Sequence, residues 1–152
     1  MKKIALLILG FIILQGCGSN NPSLIWNKAQ IEKKSPLRLL PKNTNGKLKY
    51  TQEWAGVKGN TFMNDRYLDQ TFSGIQKMCG YGKNEFIEHR VVKHQNNLWE
   101  EVWLFKDMKS NRDDKTSGLT VLLEYNSSTN VTLTKFFGDC HTGKGVTFNI
   151  SD

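Results

Sequence analysis

The sequence predicts one α+β domain in which a single helix packs across a curved antiparallel sheet meander of about five to six strands. The length of 152 residues fits one domain. One stretch repeats its apolar residues at helical spacing, and most of the remainder alternates apolar and polar residues between short turn sequences, which is typical of an antiparallel meander. Aromatic residues make up 11% of the chain, which argues against disorder.

The helix is predicted from a stripe of apolar residues at positions i, i+4, i+7 and i+11. The stripe consists of Leu68, Phe72, Ile75 and Cys79. Asn60 or Asn64 supplies an N-cap before it, and Gly80 supplies a stop after it. Gly74 within the helix costs about 1 kcal/mol relative to Ala. We therefore expect Gly74 to allow the close approach of another element.

The strands are predicted where apolar residues recur at every second position. The predicted strands are 48–57, 86–95, 98–106, 119–125, a run that begins at 131, and 146–150. Residues 106–115 contain one apolar residue and are predicted to be a solvated loop. Residues 31–47 are predicted to be mostly irregular, with Leu37, Leu39 and Leu40 able to dock on the core.

The strand at 98–106 is apolar on both faces, so both faces need a cover. The helix can cover one face, and the other must be covered by residues 31–47 or by a partner. Trp99, Trp103 and Phe105 share one face. Two interpretations stay open: these residues belong to the core, or they form a partner-binding surface, since Trp is frequent in binding hot spots.

The N-terminus has the layout of a secretory signal, with Lys2 and Lys3 ahead of the apolar run Ile4 to Leu14. That run is too short to span a bilayer, which takes about 20 apolar residues. It is followed by Leu14-Gln15-Gly16-Cys17. This sequence resembles the lipobox of bacterial lipoproteins, in which a Leu and two further residues precede the Cys that receives the lipid.

The resemblance implies that residues 1–16 are removed as a signal peptide and that the Cys17 thiol takes a diacylglyceryl group. The new N-terminal amine would then be acylated, and the resulting chains would hold the protein firmly on a membrane. Residues 17–46 would form the lipidated cysteine and a tether, and residues 47–152 the folded domain. Gly18 and Ser19 after the cysteine favour the outer membrane, with the domain facing the periplasm.

Cys79 and Cys140 remain after Cys17, and an even pair in an oxidising compartment predicts a disulfide. The bond would close a loop of about 60 residues, worth roughly 4 kcal/mol in the chain-entropy model. The chain has no C-x-x-C motif, which argues against a thioredoxin-type redox role.

The net charge is +7, or +5 once Lys2 and Lys3 are removed. A basic surface could attract anionic lipid head groups, wall polymers or an acidic protein, or could simply be solvated. Nucleic acid is not expected to be a partner of an exported chain.

No motif predicts a catalytic or metal site, and no cofactor is expected. Gly138 to Gly145 nearly matches a phosphate-binding loop, but it lacks the final hydroxyl and precedes a predicted strand instead of a helix, so we interpret it as a glycine-rich hairpin turn without nucleotide binding. His89 and His94 differ by an odd number and should face opposite sides of a regular strand, which disfavours a shared metal.

Four glutamates on neighbouring strands offer one enzyme hypothesis, a small cell-wall hydrolase with two carboxylates in a cleft. They are Glu85, Glu88, Glu100 and Glu101. Cross-strand ion pairs with Arg90, Lys93 or Lys106 are the favoured alternative.

The sequence therefore predicts a lipid-anchored cell-envelope protein that acts as a non-enzymatic protein-binding module with an envelope protein as partner. An immunity or inhibitor protein is one form of this hypothesis. An accessory component of an envelope assembly is the second, and the hydrolase is the third.

Overall fold

A computed structural model of the chain describes residues 21–129, 131–143, 145 and 147–149. Residues 1–16 and Cys17, to which the signal and lipid predictions apply, lie outside the described residues. The described part contains two helices and eight strands in two antiparallel sheets, and this confirms the predicted α+β class. The helices are α1 (Pro22–Glu32) and α2 (Asp65–Cys79), and the strands are β1 (Leu37–Thr44), β2 (Lys47–Trp54), β3 (Val57–Lys58), β4 (Phe86–Gln95), β5 (Leu98–Lys106), β6 (Thr116–Asn126), β7 (Val131–Phe137) and β8 (Thr147–Asn149).

The larger sheet, called the main sheet, has the strand order β3-β4-β5-β6-β7. The predicted meander is confirmed from β4 to β7, where each strand pairs with the next. The prediction of a single sheet is wrong, because β1, β2 and β8 form a separate N-terminal sheet. The last strand pairs with β2, with Phe148 opposite Tyr50, instead of extending the meander.

Helix α2 has the predicted ends. The Asn64 side chain accepts a hydrogen bond from the Tyr67 amide at 3.1 Å, and Gly80 ends the helix at a φ of 81°. The predicted close approach at Gly74 is also confirmed, because an added Cβ would lie 3.0 Å from the ring of Phe136 on β7. The helix buries Ile75 against the main sheet.

The segment predicted to be a tether and irregular chain is instead folded from Pro22 onward. Pro22 fits the first helical turn, and the Asn21 side chain caps α1 by accepting from the Ser23 amide at 3.0 Å. The side-chain amide of Asn27 bonds both backbone groups of Leu39, and so α1 covers the free edge of β1. Helix α1 was not predicted because its apolar residues do not form one stripe.

The N-terminal sheet covers the second face of β5. Leu37 of β1 and Trp54 of β2 pack with Ala55 against Val102 and Leu104 of β5. Of the two covers that the sequence allowed, the segment 31–47 supplies part and β2 supplies the rest. The described chain therefore has three layers: α2, the main sheet, and the N-terminal sheet with α1.

The predicted disulfide is confirmed, with the sulfurs of Cys79 and Cys140 2.08 Å apart. It joins the last residue of α2 to the chain that follows β7. Among the described residues, neither helix has the length and apolar character that crossing a bilayer requires.

Candidate functional site

The predicted partner-binding residues of β5 lie in different environments. Trp103 and Phe105 are fully buried and pack against Ile75 of α2 and Leu119 of β6. They are core residues, so the partner-binding interpretation does not apply to these two. Trp99, near the start of β5, is only half-buried.

Trp99 lines an open groove beside the N-terminal end of α2, which we call the aromatic groove. Its volume is about 210 Å³. Aromatic-lined concave surfaces that carry a few polar groups are typical of binding sites. The groove is lined by Phe62, Met63, Asn64, Tyr67, Trp99, Leu123, Tyr125 and Thr132.

The indole nitrogen of Trp99 is an unsatisfied donor within the described part of the chain. Its Nε1 atom is buried and has no hydrogen-bond partner there. An unpaired buried donor costs about 1–3 kcal/mol. A small rearrangement that brought an acceptor oxygen to this atom would recover that energy. An occupant of the groove could supply that acceptor only after such a rearrangement, because the atom is buried.

One wall of the aromatic groove is held by the buried carboxylate of Glu101. Its Oε1 atom accepts hydrogen bonds from the Thr61 hydroxyl at 3.0 Å and the Phe62 amide at 3.1 Å, and its Oε2 atom accepts from the Trp103 indole at 2.9 Å. Glu101 is fully buried, and among the described residues it has no basic partner. Its carboxylate thus acts as an anchor for the chain that carries Phe62.

Phe62 and Trp99 are linked through a histidine. The ring of His94 lies between them, with ring centroids 4.2 Å from Phe62 and 5.2 Å from Trp99. The stack fixes the side of the groove next to β4. Sequence analysis considered Trp99, His94 and Glu101 but not Phe62, and it did not predict the contact between Phe62 and Glu101, which lie 39 residues apart.

We expect Glu101→Gln to lower the free energy of unfolding by about 1–3 kcal/mol, because one carboxylate oxygen becomes an NH₂ group among hydrogen-bond donors. The amide of Phe62 should also exchange its hydrogen faster. Hydrogen exchange measured by NMR tests this. Glu100→Gln is the matched control, since Glu100 lies on the opposite face of β5 and has no bond to this loop. Unchanged protection of Phe62 in Glu101→Gln would contradict the assigned role.

The prediction that His89 and His94 face opposite sides of a regular strand is wrong. His89 lies opposite Trp103 and His94 lies opposite Trp99, so both histidines are on the same face of β4. The cause is an irregularity of pairing between Val91 and Lys93, which shifts the alternation by one residue. Burial lowers the pKa of His89 although the charge of Glu101 opposes this, so His89 is neutral near pH 7.

The glutamates do not assemble the paired carboxylates of a hydrolase. Glu100 and Glu101 face opposite sides of β5. Glu88 lies opposite Leu104, four residues along β5 from Glu100, which is about 13 Å at the usual strand rise. This is a spacing of backbone positions, whereas glycoside hydrolysis needs the carboxyl groups themselves about 5–9.5 Å apart. The carboxylates of Glu88 and Glu100 are instead bound to different basic side chains.

Of the three expected basic partners, Arg90 forms an ion pair, but within its own strand and not across strands. Glu88 pairs with Lys58 and with Arg90 of its own strand. Glu100 pairs with Lys34 at 3.0 Å. Glu85 instead accepts a hydrogen bond from the Gly82 amide at 2.7 Å.

The charged stretch predicted to be a solvated loop begins with a buried acid, Asp107. Its Oδ2 atom accepts hydrogen bonds from the Tyr81 hydroxyl at 2.8 Å and the Ser117 hydroxyl at 2.7 Å, and it lies 2.9 Å from Nδ1 of His141. The Lys109 amide donates to Oδ1 at 2.9 Å. Burial alone would raise the pKa of Asp107, but these four donors hold it well below its usual value. Asp107 is therefore ionised in the folded protein near pH 7.

The cluster contains the residue types of a nucleophilic triad, namely Asp107, Ser117 and His141, but they are not arranged as in a triad. In a triad the hydroxyl bonds the imidazole and faces the substrate. Ser117 is fully buried, and its hydroxyl donates to Asp107. Burial, followed by the Asp107 carboxylate, raises the pKa of Tyr81 to about 12, so the phenol keeps its proton and donates it. The hydrogen bonds of Asp107 with Tyr81, Ser117 and His141 therefore join separate parts of the fold.

The glycine-rich segment is hydrogen-bonded at Thr142 to Ser117 of the same cluster. The Thr142 amide donates to the Ser117 hydroxyl at 2.9 Å, and the Ser110 hydroxyl donates to the Thr142 carbonyl at 3.0 Å. The segment leads into β8, not into the helix that a phosphate-binding loop requires.

No grouping of His, Cys, Asp and Glu suited to a metal ion occurs within residues 21–129, 131–143, 145 and 147–149. Comparison with known proteins gives no relative: no family model, no curated protein and no solved structure matches the chain. The functional argument therefore depends on the site itself.

Proposed function

We propose that the protein is a lipid-anchored component of the bacterial cell envelope that binds another protein through the aromatic groove and catalyses no reaction. The observation that carries the proposal is the groove around Trp99, where four aromatic side chains surround an open surface and a buried indole donor has no partner among the described residues. The Cys79–Cys140 disulfide supports an oxidising compartment. The Leu14-Gln15-Gly16-Cys17 sequence supports the anchor.

The groove is also preorganised, which favours recognition of a folded or extended protein surface. Glu101 fixes the loop that carries Phe62, and the ring of His94 stacks against Trp99. Little side-chain freedom is then lost on binding, which raises affinity at a given contact area. Phe62 remains half exposed and available to a partner.

The anchor is tested by mass spectrometry of the protein isolated from its native membrane. We expect a chain that begins at Cys17 and carries acyl groups. An unmodified Cys17, or a chain that keeps residues 1–16, would contradict the anchor and leave the groove to be tested separately.

The binding surface is tested by photo-cross-linking in intact cells, with a photoreactive phenylalanine analogue at Phe62. The matched control carries the analogue at Met108, which is exposed but lies outside the groove. We expect one stoichiometric adduct from position 62 and none from 108.

Trp99→Ala should weaken the purified complex by at least tenfold, as hot-spot aromatics do. Adducts of equal yield from both positions, or affinity unchanged in Trp99→Ala, would contradict the groove. The identity of the adduct distinguishes a toxin or enzyme, expected for an inhibitor, from a subunit of an envelope assembly.

A further inference from the structure

Apart from Lys2 and Lys3, the excess positive charge of the protein is concentrated in residues 21–58. Residues 21–58 contain eight basic and two acidic residues, whereas residues 59–152 contain eleven basic and twelve acidic residues. The first range comprises α1, β1, β2 and β3, and the second comprises the other elements. Seven of the eight basic residues lie before β3, in α1, β1, β2 and the chain that connects them, and the eighth, Lys58, lies in β3 of the main sheet.

Three lysines share the outer face of the β1–β2 hairpin. Lys42 lies directly opposite Lys49, and Lys47 is two residues from Lys49 on the same face. Like charges placed opposite each other destabilise a strand pair. Within the described part of the chain, none of the three forms a salt bridge. This arrangement becomes favourable when an anionic surface lies against it.

Helix α1 exposes apolar side chains in the same layer. Leu24, Ile25 and Ile31 are each at least half exposed, and Lys28 lies among them on the outward side of the helix. The inward side holds Trp26, which packs near Leu37. These exposed side chains can bury apolar surface in a membrane interface, although α1 lacks the single apolar stripe of a typical interfacial helix.

We propose that these two adjoining features, here called the N-terminal surface, dock on a bilayer of anionic phospholipid. The N-terminal surface is defined as the exposed side of α1 and the three hairpin lysines. The proposal rests on the proposed lipid at Cys17: Pro22 is five positions after Cys17, so the Cα atom at the start of α1 can lie no more than about 18 Å from the Cα atom of Cys17. Basic side chains so close to an anionic leaflet are attracted to it.

This docking would orient the aromatic groove. The N-terminal sheet and α1 pack on the Val102 and Leu104 face of the main sheet. The groove lies on the other face, with Trp99 and Leu123. With the N-terminal surface on the bilayer, the groove faces away from the lipid and toward a partner.

The test uses a chain that begins at Gly18, which keeps every described helix and strand and carries no lipid. Binding is measured by flotation with vesicles of phosphatidylcholine alone or with 30% (about one lipid in three) phosphatidylglycerol. We expect binding only to the anionic vesicles, weakening as salt is raised. The variant Lys42→Gln/Lys47→Gln/Lys49→Gln should lower the partition coefficient by at least tenfold, since each lysine contributes roughly fivefold.

The matched control is Lys77→Gln/Lys93→Gln/Lys109→Gln, which removes the same charge from exposed lysines elsewhere. Its partition coefficient should stay within threefold of that of the parent chain. A second variant, Leu24→Ser/Ile25→Ser, should weaken binding without altering its salt dependence. Equal losses in the two lysine variants, or no preference of the parent chain for anionic vesicles, would overturn the proposal. Because the chain that begins at Gly18 carries no lipid, the outcome of this vesicle test does not depend on whether mass spectrometry finds acyl groups on Cys17.

Discussion

Replacing Cys79 and Cys140 together by serine is expected to lower the free energy of unfolding by about 4 kcal/mol, a large share of the 5–15 kcal/mol that stabilises a typical domain. The bond closes a sequence separation of 61 residues, and it links the end of α2 to the chain after β7. Without it, the unfolded chain regains the conformational freedom that the cross-link removes. Urea unfolding followed by circular dichroism measures the difference.

The double variant is preferable to either single one, because it leaves neither Cys79 nor Cys140 as an unpaired thiol. Adding a reductant to the parent protein should reproduce the loss, and the double variant should not respond to the reductant. A difference below about 1 kcal/mol would show that the hydrogen bonds around Asp107 suffice to hold the segment 138–142.

The substitution Asp107→Asn is expected to lower the free energy of unfolding by about 3 kcal/mol at pH 7, because an NH₂ group replaces one oxygen of a buried carboxylate that four donors surround. The hydroxyls of Tyr81 and Ser117 would each lose a charged acceptor. Thermal or urea unfolding of the two proteins measures the effect.

The effect of Asp107→Asn should depend on pH with a defined sign. The pKa of Asp107 is lower in the folded protein than in the unfolded chain, where it is about 3.9. The carboxylate therefore contributes its full stability above the unfolded pKa, and this contribution falls as the pH drops toward the folded pKa. The gap between the parent and Asp107→Asn should be widest above about pH 5 and should narrow in acid.

Ser117→Ala provides the control, since it keeps the carboxylate and removes one of its four donors, together with the hydrogen bond from the Thr142 amide. It should cost less than Asp107→Asn and should retain most of the acid dependence. A gap between the parent and Asp107→Asn that stays constant from pH 3 (about one unit below the unfolded pKa) to pH 7 would contradict the role of the ionised carboxylate.

The local sequence pattern was sufficient to predict those helices and strands whose signals lie within one stretch of chain. Strands β4 and β5 have the predicted bounds, and α2 has the predicted cap at Asn64 and stop at Gly80. Cysteine counting likewise predicted the Cys79–Cys140 bond. Period, caps and cysteine parity are visible in a single sequence, because each depends on neighbouring residues or on a simple count.

The groove and the buried acids depend on long-range contacts. Glu101 reaches Phe62 across 39 residues, and Asp107 reaches His141 across 34. An acid in a charged stretch gives the same local signal whether it is solvated or surrounded by donors from elsewhere. The shift in pairing that brings His89 and His94 to one face of β4 is equally absent from the alternation pattern.

The sequence by itself determined the α+β class, the helix with its caps, the meander and the disulfide, since short-range chemistry decides these. Only the tertiary structure decided that residues 22–44 belong to the fold, that two of the three aromatic candidates on β5 are core, and that Trp99 opens onto a groove. The physical reason is that burial is a property of what packs against a residue. One face of β5 is buried by α2 and the other by the N-terminal sheet. Neither packing partner can be predicted from the residues of β5 alone.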